Sequence, residues 1–209
     1  MLRDRSIADL LAAFSSPDPT PGGGSAAALS SAVGASLLMM VAGLPKTRSG
    51  SDEDRAALDG VRLELSAIRD RLADAVDGDT AAYDAVVAAY KLPKATPEQQ
   101  AARKGAIQQA LRGATDVPLE VMRQSTRALE AAAVVARHGY RSASSDIGVA
   151  VGLLKAGAAG ANLNVGVNLD SVADAAYCDR VRAEADDLTS RAALLAGRAD
   201  DLVKGDGSP

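Results

Sequence analysis

The segment from Ala26 to Val41 most constrains what this chain can fold into, because its residues are apolar or small on every face of a helix. It follows directly on Pro19-Thr20-Pro21-Gly22-Gly23-Gly24-Ser25, in which two prolines favour an extended backbone and three glycines leave it free to turn. A helix that is apolar all round is buried by other elements. The sequence therefore predicts a central, Ala-rich helix that begins at a glycine loop.

The glycine loop, formed by Gly22, Gly23, Gly24 and Ser25, is also a candidate binding site. The first turn of a helix has backbone N–H groups without intrahelical partners, and glycines carry no side chain that would hold a ligand away. An anion or a carbonyl oxygen can bind at such a helix end. Glycines equally permit a tight turn against a neighbouring helix, and the residues alone do not decide between the two. The loop is not a P-loop, because no Gly-Lys-Ser/Thr follows it, and no strand precedes it as in a dinucleotide fingerprint.

Composition narrows the fold class and the kind of partner. Of the 209 residues 47% are hydrophobic but only 2% are aromatic, so the core consists of Ala, Val, Leu and Gly, which suits closely packed helices. A net charge of -4 without a Lys/Arg block argues against nucleic acid as the main partner. No signal peptide is evident at the start, and the run nearest to a membrane span, Ala26 to Val41, has the serines and the Ala/Gly content of a buried helix. We therefore expect a cytoplasmic protein without a membrane partner.

The rest of the chain is predicted to be a series of helices, over residues 7–14, 51–78, 79–90, 96–113, 119–139, 146–160 and from about 171 onwards. The clearest boundary is the capping box Thr96-Pro97-Glu98-Gln99. Residues 162–169 alternate with period two, but a lone strand would have no partner, so we predict a helical or irregular segment there. The whole indicates an all-α, single-domain helical bundle over residues 1–209, with a disordered tail from about residue 204.

Two carboxylates and a lysine are candidates for chemistry. On a helix Asp79 shares a face with Tyr83, and Asp146 follows two serines at a predicted helix start. Each of these two acids can equally be interpreted as a residue that only caps a helix. Lys91 stands near Lys94 at a helix end, where it can hold an anionic ligand or simply face water.

Two amides in an apolar segment are candidate ligand contacts. Asn164 and Asn168 lie four residues apart on one helix face, and buried amides need hydrogen-bond partners. His138 is interpreted as a cation at a helix C-terminus, and Cys178 as an inert thiol. No His/Cys/Asp group has the spacing of metal ligands, so we expect no metal and no cofactor.

Five motifs in register give a resemblance that runs from about residue 6 to residue 182. The motifs are Pro19-Thr20-Pro21-Gly22-Gly23-Gly24-Ser25, Asp79-Thr80-Ala81-Ala82-Tyr83-Asp84-Ala85-Val86 with Lys91-Leu92-Pro93-Lys94, Val117-Pro118-Leu119, Ser145-Asp146, and Gly160-Ala161-Asn162-Leu163-Asn164-Val165-Gly166-Val167-Asn168-Leu169. In this order they resemble the cyclodeaminase/cyclohydrolase family. Its members include the cyclodeaminase domain of formiminotransferase-cyclodeaminase and the helical type of bacterial methenyltetrahydrofolate cyclohydrolase.

The resemblance implies an all-α homodimer that holds a tetrahydrofolate derivative among its helices. It implies either hydrolysis of 5,10-methenyltetrahydrofolate to 10-formyltetrahydrofolate or cyclodeamination of 5-formiminotetrahydrofolate with release of ammonia. Because this chain carries no formiminotransferase half, we favour hydrolysis. A divergent relative with another substrate, or a non-catalytic binding module, is the third alternative.

The chemistry of a methenyl bridge suggests roles for the candidate residues. Water adds to the cationic bridge carbon, and a carboxylate can stabilise the cation and take a proton from the water. We predict Asp79 or Asp146 as the base and Lys91 as the acid or a contact to the substrate tail. The glycine loop and Asn164 would orient the pterin, and Tyr83 and Asn168 complete the predicted substrate contacts. These assignments require the glycine loop, both acids and Asn164 to converge on one pocket.

Overall fold

Residues 1–205, the described part of the chain, fold into six α-helices and two short 3-10 turns, at Leu2–Asp4 and Arg141–Ala143. The coordinates are a computed structural model that describes residues 1–205. The helices are α1 Ile7–Phe14, α2 Gly23–Ala42, α3 Asp52–Tyr90, α4 Pro97–His138, α5 Ser144–Leu169 and α6 Ala175–Lys204. Within those 205 residues the only β-type pairing is an isolated bridge between Thr47 and Gly139. The predicted all-α bundle is confirmed, and most of the predicted disordered tail, residues 206–209, lies outside the described residues.

The predicted helix starts follow from local capping. The side chains of Ser6, Ser51 and Thr96 each accept a hydrogen bond from the backbone N–H three residues further on. At Thr96 the reciprocal bonds of Gln99 complete the capping box. The last helix begins later than predicted, because the cap is Asp174 rather than a residue near 171.

Helix α2 lies between α3, α4 and α5, as predicted for a central helix. It is the one helix of the described chain long and apolar enough to cross a membrane, and 56% of its most apolar window is buried inside the bundle. Glycines let α5 approach it closely. A Cβ atom on Gly157 would lie 1.9 Å from Ser31 Oγ and 2.7 Å from the Ala27 carbonyl oxygen. Small residues at this crossing therefore set the spacing of the two helices.

Helices α3 and α4 are each longer than the sequence predicts. The expected break at Gly78 is wrong, because α3 runs without interruption for 39 residues. The expected break near Pro118 is also wrong, because α4 runs for 42 residues with Pro118 inside it. Leu72 and Val76 are fully buried on one side of Gly78, so packing against the other helices outweighs the weak helix propensity of a single glycine.

Candidate functional site

A cavity of about 360 Å³ opens at the N-terminus of α2. It is lined by the glycine loop and by residues of α3, α4 and α5, namely Pro19, Thr20, Gly22, Gly23, Gly24, Asp79, Ala82, Tyr83, Val86, Leu111, Ala114, Asn164 and Asn168. The bundle thus brings together the glycine loop, Asp79, Tyr83 and both asparagines, which are far apart in the sequence. We call this the Asp79 cavity.

Asp79 caps α2 from the neighbouring helix. The N-cap residue of α2 is Gly22, which has no side chain to satisfy the first-turn N–H groups. Asp79 Oδ2 accepts a hydrogen bond from the Ser25 backbone N–H at 2.8 Å and lies 3.0 Å from Ser25 Oγ. A carboxylate at this position is stabilised by the unpaired N–H groups and by the positive end of the helix dipole. The two interpretations of Asp79, as a cap and as a site residue, therefore describe one arrangement.

Gly24 makes the close approach of Asp79 possible. A Cβ atom at Gly24 would lie 2.1 Å from Asp79 Oδ1 and 2.8 Å from Oδ2. The same atom at Gly23 would lie 3.7 Å from its nearest neighbour, Asn164 Nδ2, and at Gly22 3.8 Å from the Pro19 carbonyl oxygen. Of the three glycines, Gly24 alone is required by the position of the carboxylate.

The other carboxylate oxygen of Asp79 is available to a ligand. Oδ2 is occupied by Ser25, whereas Oδ1 accepts no hydrogen bond from any residue in the described part of the chain. Ser25 itself is fully buried, and its hydroxyl lies 2.9 Å from the Val76 carbonyl oxygen. The carboxylate of this cavity-lining residue is therefore held in a defined orientation, and one of its oxygens has no hydrogen-bond donor within the described chain.

The two asparagines use their amide N–H groups within the protein. Asn164 Nδ2 donates to the Gly160 carbonyl oxygen of its own helix at 2.9 Å. Asn168 Nδ2 donates to the Ala114 carbonyl oxygen of α4 at 2.7 Å. These bonds orient both side chains at the cavity wall. The bond of Asn168 also links α5 to α4, a structural role that the sequence alone did not reveal.

Two predicted site residues do not reach this cavity within the chain. Asp146 is 18 residues from Asn164 on α5, which at 1.5 Å per residue places it about 27 Å away along the helix. Lys91 follows Asp79 by 12 residues at the end of α3, about 18 Å away. The prediction that Asp146 joins the same pocket is wrong for the single chain, and Lys91 is too far from Asp79 to act as an acid beside it. Two residues on the same face of a helix can still lie many ångströms apart along its axis.

A second polar cluster lies at the opposite end of the bundle. His138 Nδ1 lies 2.8 Å from Asp54 Oδ1, while the Ser49 backbone N–H and hydroxyl both donate to Asp54 Oδ2 at 2.7 Å. The backbone N–H of Ser49, followed by His138, holds the pKa of the Asp54 carboxyl well below its usual range. This cluster fastens the loop before α3 to the end of α4. The prediction of His138 as a helix C-terminal residue is confirmed, but its buried carboxylate partner was missed.

Residues of α4 were also missed as parts of the site. Leu111 and Ala114 line the Asp79 cavity, and only their apolar character in a helix facing the core could have pointed to them.

In residues 1–205 no group of three or more His, Cys, Asp or Glu side chains is arranged to hold a metal ion.

Comparisons with known proteins identify proteins that are similar to this chain. The methenyltetrahydrofolate cyclohydrolase of Methylorubrum extorquens is 39% identical over 204 residues, 98% of each protein. The formimidoyltransferase-cyclodeaminase of Rattus norvegicus is 32% identical over 200 residues, which is 94% of this chain but 37% of that protein. The crystal structure of formiminotetrahydrofolate cyclodeaminase from Thermotoga maritima superposes with a TM-score of 0.88 at 22% identity over 100% of both chains, which shows a shared fold.

The family model described as formiminotransferase-cyclodeaminase matches residues 6–187, nearly the span over which the five sequence motifs occur. Since this match covers most of the chain, and a full-length relative is more than 30% identical, the chain belongs to the formiminotransferase-cyclodeaminase family.

Proposed function

We propose that the chain hydrolyses 5,10-methenyltetrahydrofolate to 10-formyltetrahydrofolate in the Asp79 cavity. The observation that carries the proposal is the Asp79 carboxylate, which is anchored at the N-terminus of α2 through Oδ2 and leaves Oδ1 free. The full-length relative named methenyltetrahydrofolate cyclohydrolase supports this reaction.

The reaction proceeds with one base and one water. The methenyl bridge joins N5 and N10 of the folate as a delocalised cation, which an ionised carboxylate stabilises. Water adds to the bridge carbon and transfers a proton to Asp79 Oδ1, which forms a neutral carbinolamine. The C–N5 bond then breaks, N5 takes up a proton as the carbinolamine hydroxyl loses one, and the formyl group stays on N10. One proton is released overall, and the steps need neither a metal nor a covalent nucleophile.

Cyclodeamination is the second candidate, because several relatives carry that activity in their names. In 5-formiminotetrahydrofolate N10 attacks the formimino carbon and ammonia leaves, so the same anionic site would stabilise the methenyl cation as product. Incubation of the protein with each substrate separately decides between the two. We expect loss of the methenyl absorbance without ammonia release from formiminotetrahydrofolate. Ammonia release without methenyl hydrolysis would reverse the assignment, and turnover of neither substrate would refute both.

We further propose that the protein is a homodimer that uses the outer face of α2 and α5. These two helices contain 46 residues but only two charged ones, Asp146 and Lys155. Large apolar side chains stand exposed on them, including Val33, Met40, Val149, Leu163 and Val167, the last two more than 70% exposed. A second copy of the same face would cover them. Leu163→Glu should then give a monomer by sedimentation, and a wild-type monomer at micromolar concentration would refute the dimer.

A further inference from the structure

Among the described residues that line the Asp79 cavity, only Asp79 and Tyr83 have titratable side chains. Tyr83 follows Asp79 by four residues on α3, so both side chains lie on one face of the helix, about 6 Å apart along its axis. Tyr83 is 41% exposed, so a ligand that enters from solvent has access to it. The proposed chemistry uses the carboxylate and leaves the phenol without a role.

The Tyr83 hydroxyl has no hydrogen-bond partner in residues 1–205. The amide N–H groups of Asn164 and Asn168, by contrast, are bonded to carbonyl oxygens of the protein, and their side-chain oxygens only accept. Thr20 carries the other hydroxyl of the cavity wall, but a phenol gives up its proton far more readily than an alcohol. Tyr83 is therefore the strongest proton donor of this wall that the described chain does not already use.

The step that needs such a donor is breakage of the C–N5 bond. In this step N5 gains a proton and the carbinolamine hydroxyl loses one, and both atoms are bonded to the same carbon. Direct transfer between them passes through a strained four-membered ring. One intervening hydroxyl, which donates one proton and accepts the other, enlarges the ring to six atoms, and a phenol is able to do both. Asp79 is less suitable, because it took up the proton of the water in the preceding step.

We propose that the Tyr83 hydroxyl relays the proton from the carbinolamine hydroxyl to N5, which makes Tyr83 a second catalytic residue. This inference rests on the proposed function. Tyr83 donates its proton to N5 while the electron pair of the C–N5 bond moves to the nitrogen. The carbinolamine O–H proton passes to the phenol oxygen as the formyl C=O bond forms. Tyr83 is neutral before and after the step, so no further acid or base is consumed.

Turnover of 5,10-methenyltetrahydrofolate by Tyr83→Phe tests the hydroxyl alone, because the ring remains. We expect kcat to fall about 10- to 10²-fold, at the lower end of proton-transfer catalysis, since a water molecule replaces the relay in part. KM should stay within about twofold, because an interaction made only in the transition state is lost. Tyr90→Phe is the matched control. It removes an exposed hydroxyl two turns further along α3, outside the cavity, and should leave both constants unchanged.

Chemical rescue separates proton transfer from packing of the ring. Tyr83→Ala removes the whole side chain at an exposed position, so small aromatic molecules have access to the space that it leaves. Added phenol should raise the turnover of this variant in proportion to its concentration. Anisole has the same ring but no O–H to donate, and should not raise it. The rates are compared after subtraction of the uncatalysed hydrolysis.

Three results would overturn the relay: a kcat of Tyr83→Phe within about twofold of the wild-type value, a change in KM alone, or equal rescue of Tyr83→Ala by phenol and anisole. Each leaves the proposed function intact, provided that the wild-type protein hydrolyses methenyltetrahydrofolate. If the wild-type protein does not hydrolyse it, the proposed function fails and the relay falls with it.

Discussion

Asn168 Nδ2 donates a hydrogen bond of 2.7 Å to the carbonyl oxygen of Ala114, the carbonyl that Pro118 leaves without its usual helical donor. A proline inside a helix lacks the N–H that would bond four residues back. The side chain from α5 replaces it, so α4 continues through the proline. Both Asn168 and Ala114 line the Asp79 cavity, so the same bond fixes two of its walls relative to each other.

Removal of Asn168 should destabilise the protein only as long as Pro118 is present. Asn168→Ala leaves the Ala114 carbonyl without a donor, and we expect a loss of about 1–3 kcal/mol in the free energy of unfolding. In the Pro118→Ala background the backbone N–H of residue 118 can bond to that carbonyl, so the same substitution should cost less. Urea denaturation of the four proteins measures the coupling. Strictly additive losses would contradict this explanation of the uninterrupted helix.

Substitution of Gly24 should impair the site far more than substitution of a remote glycine. A methyl group at Gly24 would overlap the Asp79 carboxylate, so Gly24→Ala should displace that carboxylate from Ser25 and lower kcat by at least about tenfold, as loss of a positioned base does. Gly197 on α6 has open space around its Cβ position, so Gly197→Ala should keep activity and gain up to about 1 kcal/mol from helix propensity. Kinetics and thermal melts of both variants provide the check. An active Gly24→Ala protein would show that the carboxylate position is not needed.

The two candidate carboxylates should respond differently to neutralisation. Asp79→Asn keeps the shape of the side chain but removes the base, so turnover of methenyltetrahydrofolate should fall about 10²- to 10⁴-fold. Asp146→Asn should leave turnover near the wild-type value, because Asp146 lies far along α5 from the cavity. Steady-state kinetics on both proteins, together with folate binding to the inactive one, separates chemistry from binding. A large loss in Asp146→Asn would indicate that a partner subunit brings this acid to the site.

Asp54 should make stability depend on pH in the acid range. Its pKa is lowered in the folded protein by Ser49 and His138, whereas the unfolded chain titrates near the ordinary value of about 4. The folded state then binds fewer protons than the unfolded state, so this contribution is present above about pH 4 and is lost as the pH falls below it. Asp54→Asn should lower the melting temperature at pH 7 and reduce its further fall in acid. Glu53→Gln, at an exposed neighbouring position, should keep the wild-type acid dependence. An equally steep fall in Asp54→Asn would contradict the assignment.

Local interactions account for what could be predicted about the helices. The caps Ser6, Ser51 and Thr96 act over only three residues, so the helix starts that they fix could be predicted from the sequence, and the predicted starts at about residues 7, 51 and 96 are confirmed. The same holds for the predicted end of a helix at Gly139, which is the C-cap residue of α4. Family membership was also predictable, because the motifs occur in order along the chain and the family model matches residues 6–187.

By itself, then, the sequence determined an all-α bundle with a central α2, the family, and the faces of the helices that carry Asp79 and Asn164. Only the tertiary structure decided that α4 passes through Pro118, since the replacement donor, Asn168, comes from another helix. It also decided that Asp79 reaches the start of α2 whereas Asp146 and Lys91 lie far from it. The physical reason is that periodicity specifies the angle of a side chain around its helix axis. The depth at which helices dock, which sets the distances between their side chains, depends on packing between residues more than 50 positions apart.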